Sequence, residues 1–197
     1  MDSKKLKVAY IIPGYNESHL KQRGYNKVAK LFEESGITPI HIEIDWKHSD
    51  TKCFTDYTEQ FLKVYKTQRN TETYILGFSY GAMIAFLTAT KTKPTALILC
   101  SLSPFFEEDL VDLKPAWVRW WKKNFTESDY SFTKIAQKIK TETFLIVGEK
   151  EDESCIIRAR DAKKKIQDNH LSIAKGAEHK IGQEEYLKMV KNVISKI

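Results

Sequence analysis

Cysteine is scarce in this chain, and its scarcity excludes several protein classes. Cys53, Cys100 and Cys155 stand far apart among 197 residues. Three thiols at such spacing form neither a disulfide framework nor a metal-ligand pattern. Cys100 closes the apolar run TALILC and is expected as a buried packing residue. Long apolar runs are missing too. The N-terminal one covers about seven residues, too few to span a bilayer, and no small-residue cleavage site follows it. A cytoplasmic protein is therefore expected. Repeats and low-complexity tracts are absent. The chain is 42% hydrophobic and 29% charged, which suits one globular domain over residues 1–197 with a sizeable core. The net charge is +6, but most basic residues alternate with Asp and Glu, as in EEYLKMVKNVISK. That pattern describes solvated helix faces, so nucleic acid is not the expected partner.

What the chain does have is a regular alternation of strand-like and helix-like segments. LKVAYIIPG is an apolar run closed by Pro13-Gly14. Leu20, Tyr25, Val28, Leu31 and Phe32 then recur at helical spacing, and Gly36 stands where that helix should stop. ITPIHIEIDW predicts a second strand, with Ile40, Ile42 and Ile44 on one face. Phe54, Tyr57, Phe61, Leu62 and Tyr65 mark a second helix. TYILGFS, TALILCSLS, ETFLIVGE and HLSIAKGAEH read as four more strands, separated by helical patterns. The helix YGAMIAFLTAT is apolar on nearly every side and must be covered all round. Such alternation predicts an α/β fold: a doubly wound, mostly parallel six-stranded sheet with helices on both faces. In such sheets the chemistry sits beyond the carboxyl ends of the strands.

Ser79 falls at one of those ends, in Gly77-Phe78-Ser79-Tyr80-Gly81. A sharp strand-to-helix turn strains the backbone at its central residue and needs small neighbours. Gly77 and Gly81 meet that need. G-x-S-x-G alone arises by chance in roughly one chain in fifteen of this length; the apolar strand before it and the apolar helix after it supply the context. The run GFSYGA resembles the nucleophile elbow of the α/β-hydrolase superfamily, and the resemblance extends from the first strand to the last helix. It implies a Ser–acid–His triad in that chain order, with no N-terminal strand hairpin here. It also implies two backbone oxyanion donors, the amides of Tyr80 and of a residue in the loop after the first strand. Tyr15 matches the latter position, and Asn16 lies close by. This chain has Pro13-Gly14 where many members have His-Gly.

His179, in the loop AKGAEHKIG before the last helix, is the expected base. His41 lies inside a strand, His48 comes too early in the chain, His170 is at the wrong sheet edge, and His19 is the reserve. The resemblance places the acid in VGEKEDESCII, after the fifth strand. Asp152 is preferred there because the apolar helix follows it at a spacing typical of the family. Glu151, three residues after Gly148, is the alternative. Glu149 and Glu153 crowd the same loop. Six of the eight glycines fall where this fold requires them; Gly24 and Gly182 have no assigned role.

The segment at about 104–140 has no glycine and carries three of the four tryptophans, Trp117, Trp120 and Trp121. The resemblance makes it a short lid lining the substrate pocket. With Arg119, Lys122 and Lys123 beside the tryptophans, a weak interfacial contact is the competing reading, and single-stranded nucleic-acid stacking a third. The expected activity is hydrolysis of a small-molecule carboxylic ester or thioester through an acyl-enzyme, without metal or organic cofactor. An acyltransferase or peptidase with the same triad, or a non-catalytic binding protein, remains the alternative.

Overall fold

The computed structural model describes residues 5–47, 53–66, 70–111, 115–116 and 130–197. Six strands form one sheet in the order β2-β1-β3-β4-β5-β6. They are β1 (Leu6–Ile12), β2 (Thr38–His41), β3 (Thr71–Phe78), β4 (Ala96–Cys100), β5 (Glu142–Gly148) and β6 (Asn169–Ala174). Every pairing is parallel. The helices bounded within the described residues are α1 (Arg23–Glu34), α2 (Phe54–Val64), α3 (Tyr80–Thr92), α4 (Phe132–Ala136), α5 (Glu153–Lys165) and α6 (Glu184–Ile194), with a 3-10 turn at Glu107–Asp109.

The period-two geometry of the strands divides the core into two layers. Ala9, Ile11, Tyr74, Leu76, Phe78, Ile98 and Ile146 face α1 and α6, meeting Tyr25, Phe32, Tyr186 and Val190. Val8, Tyr10, Ile12, Ile75, Leu97, Leu99 and Leu145 face α2 and α3. Helix α3 runs under this second layer, and ten of its thirteen residues are buried; its all-round apolar sequence has a matching all-round cover. Its Thr88 and Thr92 satisfy their hydroxyls on the carbonyls of Ile84 and Thr88, one turn back.

Two expectations change in detail. The second strand is shorter than its alternation suggests. Pro39 removes one ladder donor from this edge strand, and after the Ile42 amide bonds to Ile11 the chain leaves the sheet. Ile42, Ile44 and Trp46 are still buried alternately, against α2 rather than within a ladder. Gly24 and Gly182 do have a role: they face each other so closely that a methyl on either would meet the other's Cα at 2.8–2.9 Å. That contact lets the start of α1 approach the loop before α6.

Strand order reverses at β1, whose neighbours are β2 and β3. The carboxyl ends of β1 and β3 therefore flank the switch point, where such sheets open a crevice. The loop at Pro13–Glu17 and the turn at Ser79 lie on its two sides.

Candidate active site

Ser79 links β3 to α3 with φ 55° and ψ −116°, a conformation that a non-glycine residue adopts only when its surroundings enforce it. Three contacts enforce it here. The Ser79 amide donates to the Cys100 carbonyl at 2.8 Å. The Ser79 carbonyl accepts from the amides of Ala82 and Met83. A methyl group at Gly77 would overlap the Gly81 carbonyl, and one at Gly81 would overlap the carbonyls of Ile12 and Pro13. Both glycines are thus required by close backbone approach. Tyr80 is the first residue of α3, a position whose amide has no intrahelical acceptor.

The loop after β1 comes next to this turn. Asn16 adopts a left-handed conformation at φ 56°, and the Glu17 amide closes the turn onto the Gly14 carbonyl. The Gly14 amide donates to the Tyr25 hydroxyl at 2.8 Å, which in turn donates to Glu17. The ring of Tyr15 packs against that of Tyr80 at 5.4 Å between centroids. The structure thus brings together the two tyrosines that the sequence placed at the oxyanion positions.

His179 stands at the end of a loop that opens with Gly176 at φ 76°. Its imidazole packs on the ring of Phe78, the residue before Ser79, at 4.8 Å. Its Nδ1 lies 2.8 Å from Oε2 of Glu151. The carboxylate that meets His179 is thus Glu151, the alternative named from sequence, and not the preferred Asp152: Asp152 is exposed at the N-cap position of α5, while Glu151, one residue earlier, turns inward with a fully buried side chain. Oε1 of Glu151 accepts from the Gly148 amide and from the Ser101 hydroxyl, each at 2.6 Å. A carboxylate oxygen holding two donors leaves its neighbour to accept from His179 Nδ1–H. That fixes the imidazole tautomer with Nε2 as the open base. The two loops are joined as one unit: the Glu149 amide donates to Ala174, Lys150 to Ala177, and Gly176 to the Glu149 side chain.

Among the described residues Ser79 Oγ hydrogen-bonds to Ser103 Oγ at 3.2 Å and not to His179. Nucleophile–base bonds are often long in unliganded sites and tighten around substrate. The reserve histidine is engaged elsewhere: His19 pairs with Glu43 at 2.5 Å and stacks on His41. His170 pairs with Glu142 at the opposite sheet edge.

Sequence reasoning missed the aromatic wall beside Ser79. Tyr80 touches Phe54 at 5.8 Å and Phe105 at 5.4 Å; Trp46 joins Tyr15 and Tyr57 at 5.3 and 4.7 Å. Among the described residues the buried Trp46 indole N–H and Tyr57 hydroxyl have no partner, which costs about 1–3 kcal/mol each. Burial, followed by neighbouring Tyr15, raises the Tyr57 hydroxyl to about 12. The lid residues Trp117, Trp120 and Trp121, and His48, lie outside the described residues. The described ends of that segment belong to the core: Phe106 and Phe132 are fully buried and pack on Phe86.

Glu151, Cys155 and His179 place one potential metal-ligating atom each within 4.8 Å of one another. Burial, then the charges of Glu151 and Asp152, raises the Cys155 thiol to about 12, and Glu151 already meets the Gly148 amide, the Ser101 hydroxyl and His179 Nδ1. The protonated thiol is therefore a poor metal ligand at neutral pH. A groove of 440 Å³ lies toward the amino ends of β1 and β3; its described lining residues, among them Leu6, Tyr10, Ile40 and Thr71, include no histidine, cysteine or carboxylate.

No family model and no curated protein matches the sequence. Solved structures do match in shape. Est1E from Butyrivibrio proteoclasticus, in a ferulic acid complex, is similar at a TM-score of 0.77 and 16% identity, over 99% of this chain and 89% of that one. Mouse alpha/beta hydrolase domain-containing protein 10 gives 0.73 and 14%, over 98% and 90%. The thioesterase domain from the curacin biosynthetic pathway gives 0.71 and 14%, over 100% and 93%. The chain has the α/β-hydrolase fold.

Proposed function

We propose that the protein is a serine hydrolase that cleaves a carboxylic ester or thioester through an acyl-enzyme. One observation carries the reading: a histidine seated against the residue before the strained serine, its Nδ1 held by a buried carboxylate. A serine hydroxyl is a poor nucleophile until a base takes its proton. In this reading Ser79 rotates from Ser103 toward His179 Nε2 and attacks the substrate carbonyl, while the proton passes to the imidazole. Glu151 stabilises the resulting imidazolium. The amides of Tyr80 and Tyr15 take up the oxyanion, each donor contributing on the order of 10²–10³ in rate. His179 then protonates the leaving alcohol or thiol, and water repeats the sequence to release the acid.

The aromatic wall of Tyr15, Trp46, Phe54, Tyr80 and Phe105 suits an apolar, planar acyl group. The ferulic acid bound by Est1E is a planar aromatic acid. The test is turnover of a nitrophenyl ester series with aliphatic and aryl acyl groups, with mass spectrometry of the quenched protein. An acyl adduct on Ser79 and a preference for aryl esters are expected. Release of nitrophenol that persists in Ser79→Ala would contradict the reading.

A further inference from the structure

We propose that Ser101 and Tyr186 form a positioning relay that locks the Glu151 carboxylate onto His179, a role that rests on the triad reading above. Ser101 follows β4 with φ 51° and is fully buried. It is thus the second serine held in a left-handed conformation at the carboxyl edge, beside Ser79. Strain at a buried non-glycine residue persists only where the surroundings over-determine it. Here the Ser101 amide donates to the Ile146 carbonyl at 2.7 Å, and its hydroxyl donates to Glu151 Oε1 at 2.6 Å. The same hydroxyl oxygen lies 2.7 Å from the hydroxyl of Tyr186.

Tyr186 belongs to α6, and its ring stands edge-on to Phe78, which also carries the His179 imidazole. Burial, followed by Cys100 and Glu151, holds its hydroxyl well above the ordinary range. It therefore always carries a proton. That proton can go to the Ile146 carbonyl at 3.0 Å, whose oxygen also accepts from the Ser101 amide, or to Ser101 Oγ at 2.7 Å. The Glu151 carboxylate only accepts, so the single Ser101 proton goes to it, and the 2.7 Å contact with Tyr186 is made with the tyrosine's proton. The direction of the chain is thus set: Tyr186 to Ser101 to Glu151. A glutamate has one more rotatable bond than an aspartate in the same role. The relay, with the Gly148 amide, removes that freedom on the side away from His179.

The test uses Tyr186→Phe, which deletes one oxygen, and Ser101→Gly, which deletes the hydroxyl and relieves the strained φ. Two readouts are taken. The first is kcat against KM for ester turnover. Tyr186→Phe should lower kcat about 3–10-fold and Ser101→Gly about 10–100-fold, as lost outer hydrogen bonds to ligating groups do elsewhere. KM should stay constant in both. The second is the low-field NMR resonance of His179 Nδ1–H, recorded in a Ser79→Ala background where no turnover is needed. It should move upfield in both variants. A resonance unchanged by both overturns the relay, whether or not the protein turns over esters. Loss of kcat in proportion to lost folding stability, with the resonance intact, also overturns it. Absence of turnover in the unmodified protein, with a resonance that shifts as stated, leaves the relay standing and removes the hydrolase reading instead.

Discussion

Two histidine–glutamate pairs sit at opposite ends of this sheet, and their difference shows what burial and oriented donors do to an ion pair. At the amino edge His170 and Glu142 approach to 3.5 Å with both side chains about half exposed. At the carboxyl edge His179 and Glu151 approach to 2.8 Å, and the glutamate side chain is fully buried. The residue types are identical. The exposed pair competes with water and contributes little. The buried carboxylate is held by Gly148 and Ser101 as well as by histidine, so its position does not depend on the pair alone. Oriented donors, rather than the opposite charge, fix the geometry of the second pair.

The strongest way to break this comparison is to remove the reacting groups. Ser79→Ala and His179→Ala should each lower ester turnover on the order of 10⁴–10⁶-fold. His170→Ala should leave initial rates within about twofold, as surface changes away from a site do. A comparable loss in the His170 variant would erase the distinction between the two edges.

Exchanging the acids sharpens the comparison. Glu151→Gln keeps the shape but offers Nδ1 a donor or a neutral acceptor, and kcat should fall about 10³–10⁴-fold. Asp152→Asn and Glu142→Asn should each retain kcat in the same assay. Equal losses in the Glu151 and Asp152 variants would mean that the whole acidic loop matters, and not one oriented carboxylate.

Stability should separate the edges next. Glu151→Ala strands the buried Gly148 amide and the Ser101 hydroxyl, a cost of about 1–3 kcal/mol for each group. Glu142→Ala should shift urea unfolding by no more than about 0.5 kcal/mol. The smallest effect concerns Glu108, a carboxylate held by donors but partly exposed. Burial pushes its pKa up, but the Ser131 hydroxyl and the amides of Thr133 and Phe132 outweigh it and set the value at about 2. A depressed native value adds stability above the unfolded value of about 4.3, and that stability is lost as pH falls toward 2. Glu108→Gln should therefore be less stable than the unmodified protein at pH 6, with the gap closing by pH 2. A gap that widens on acidification would mean that the donors do not favour the charged form.

The sheet was legible because apolar runs alternate with helical patterns and glycine placement obeys local rules; the one strand read from period-two alternation, β2, is the one that ends early. Gly77 and Gly81 could be read as steric necessities before any backbone was seen, and the turn shows close backbone approach at both positions. The carboxylate that meets His179 was not legible to the residue. Glu151 and Asp152 straddle the start of α5, and only the entry angle of the chain decides which side chain turns inward. Tyr186 has the spacing of an apolar helix position, and sequence periodicity cannot report where its hydroxyl ends. Ser101 and Ser103 sit in CSLSP, a run with no local signal of strain. Trp46 read as the end of a strand and belongs instead to the aromatic wall.

The most direct measurement of the central claim is covalent labelling by a fluorophosphonate, followed by peptide mass spectrometry and timed across variants. The expected result is a single adduct on Ser79, absent in Ser79→Ala, formed far more slowly in Glu151→Gln and at the unmodified rate in Asp152→Asn. Labelling of a different residue, or equal rates in the Glu151 and Asp152 variants, would contradict the account.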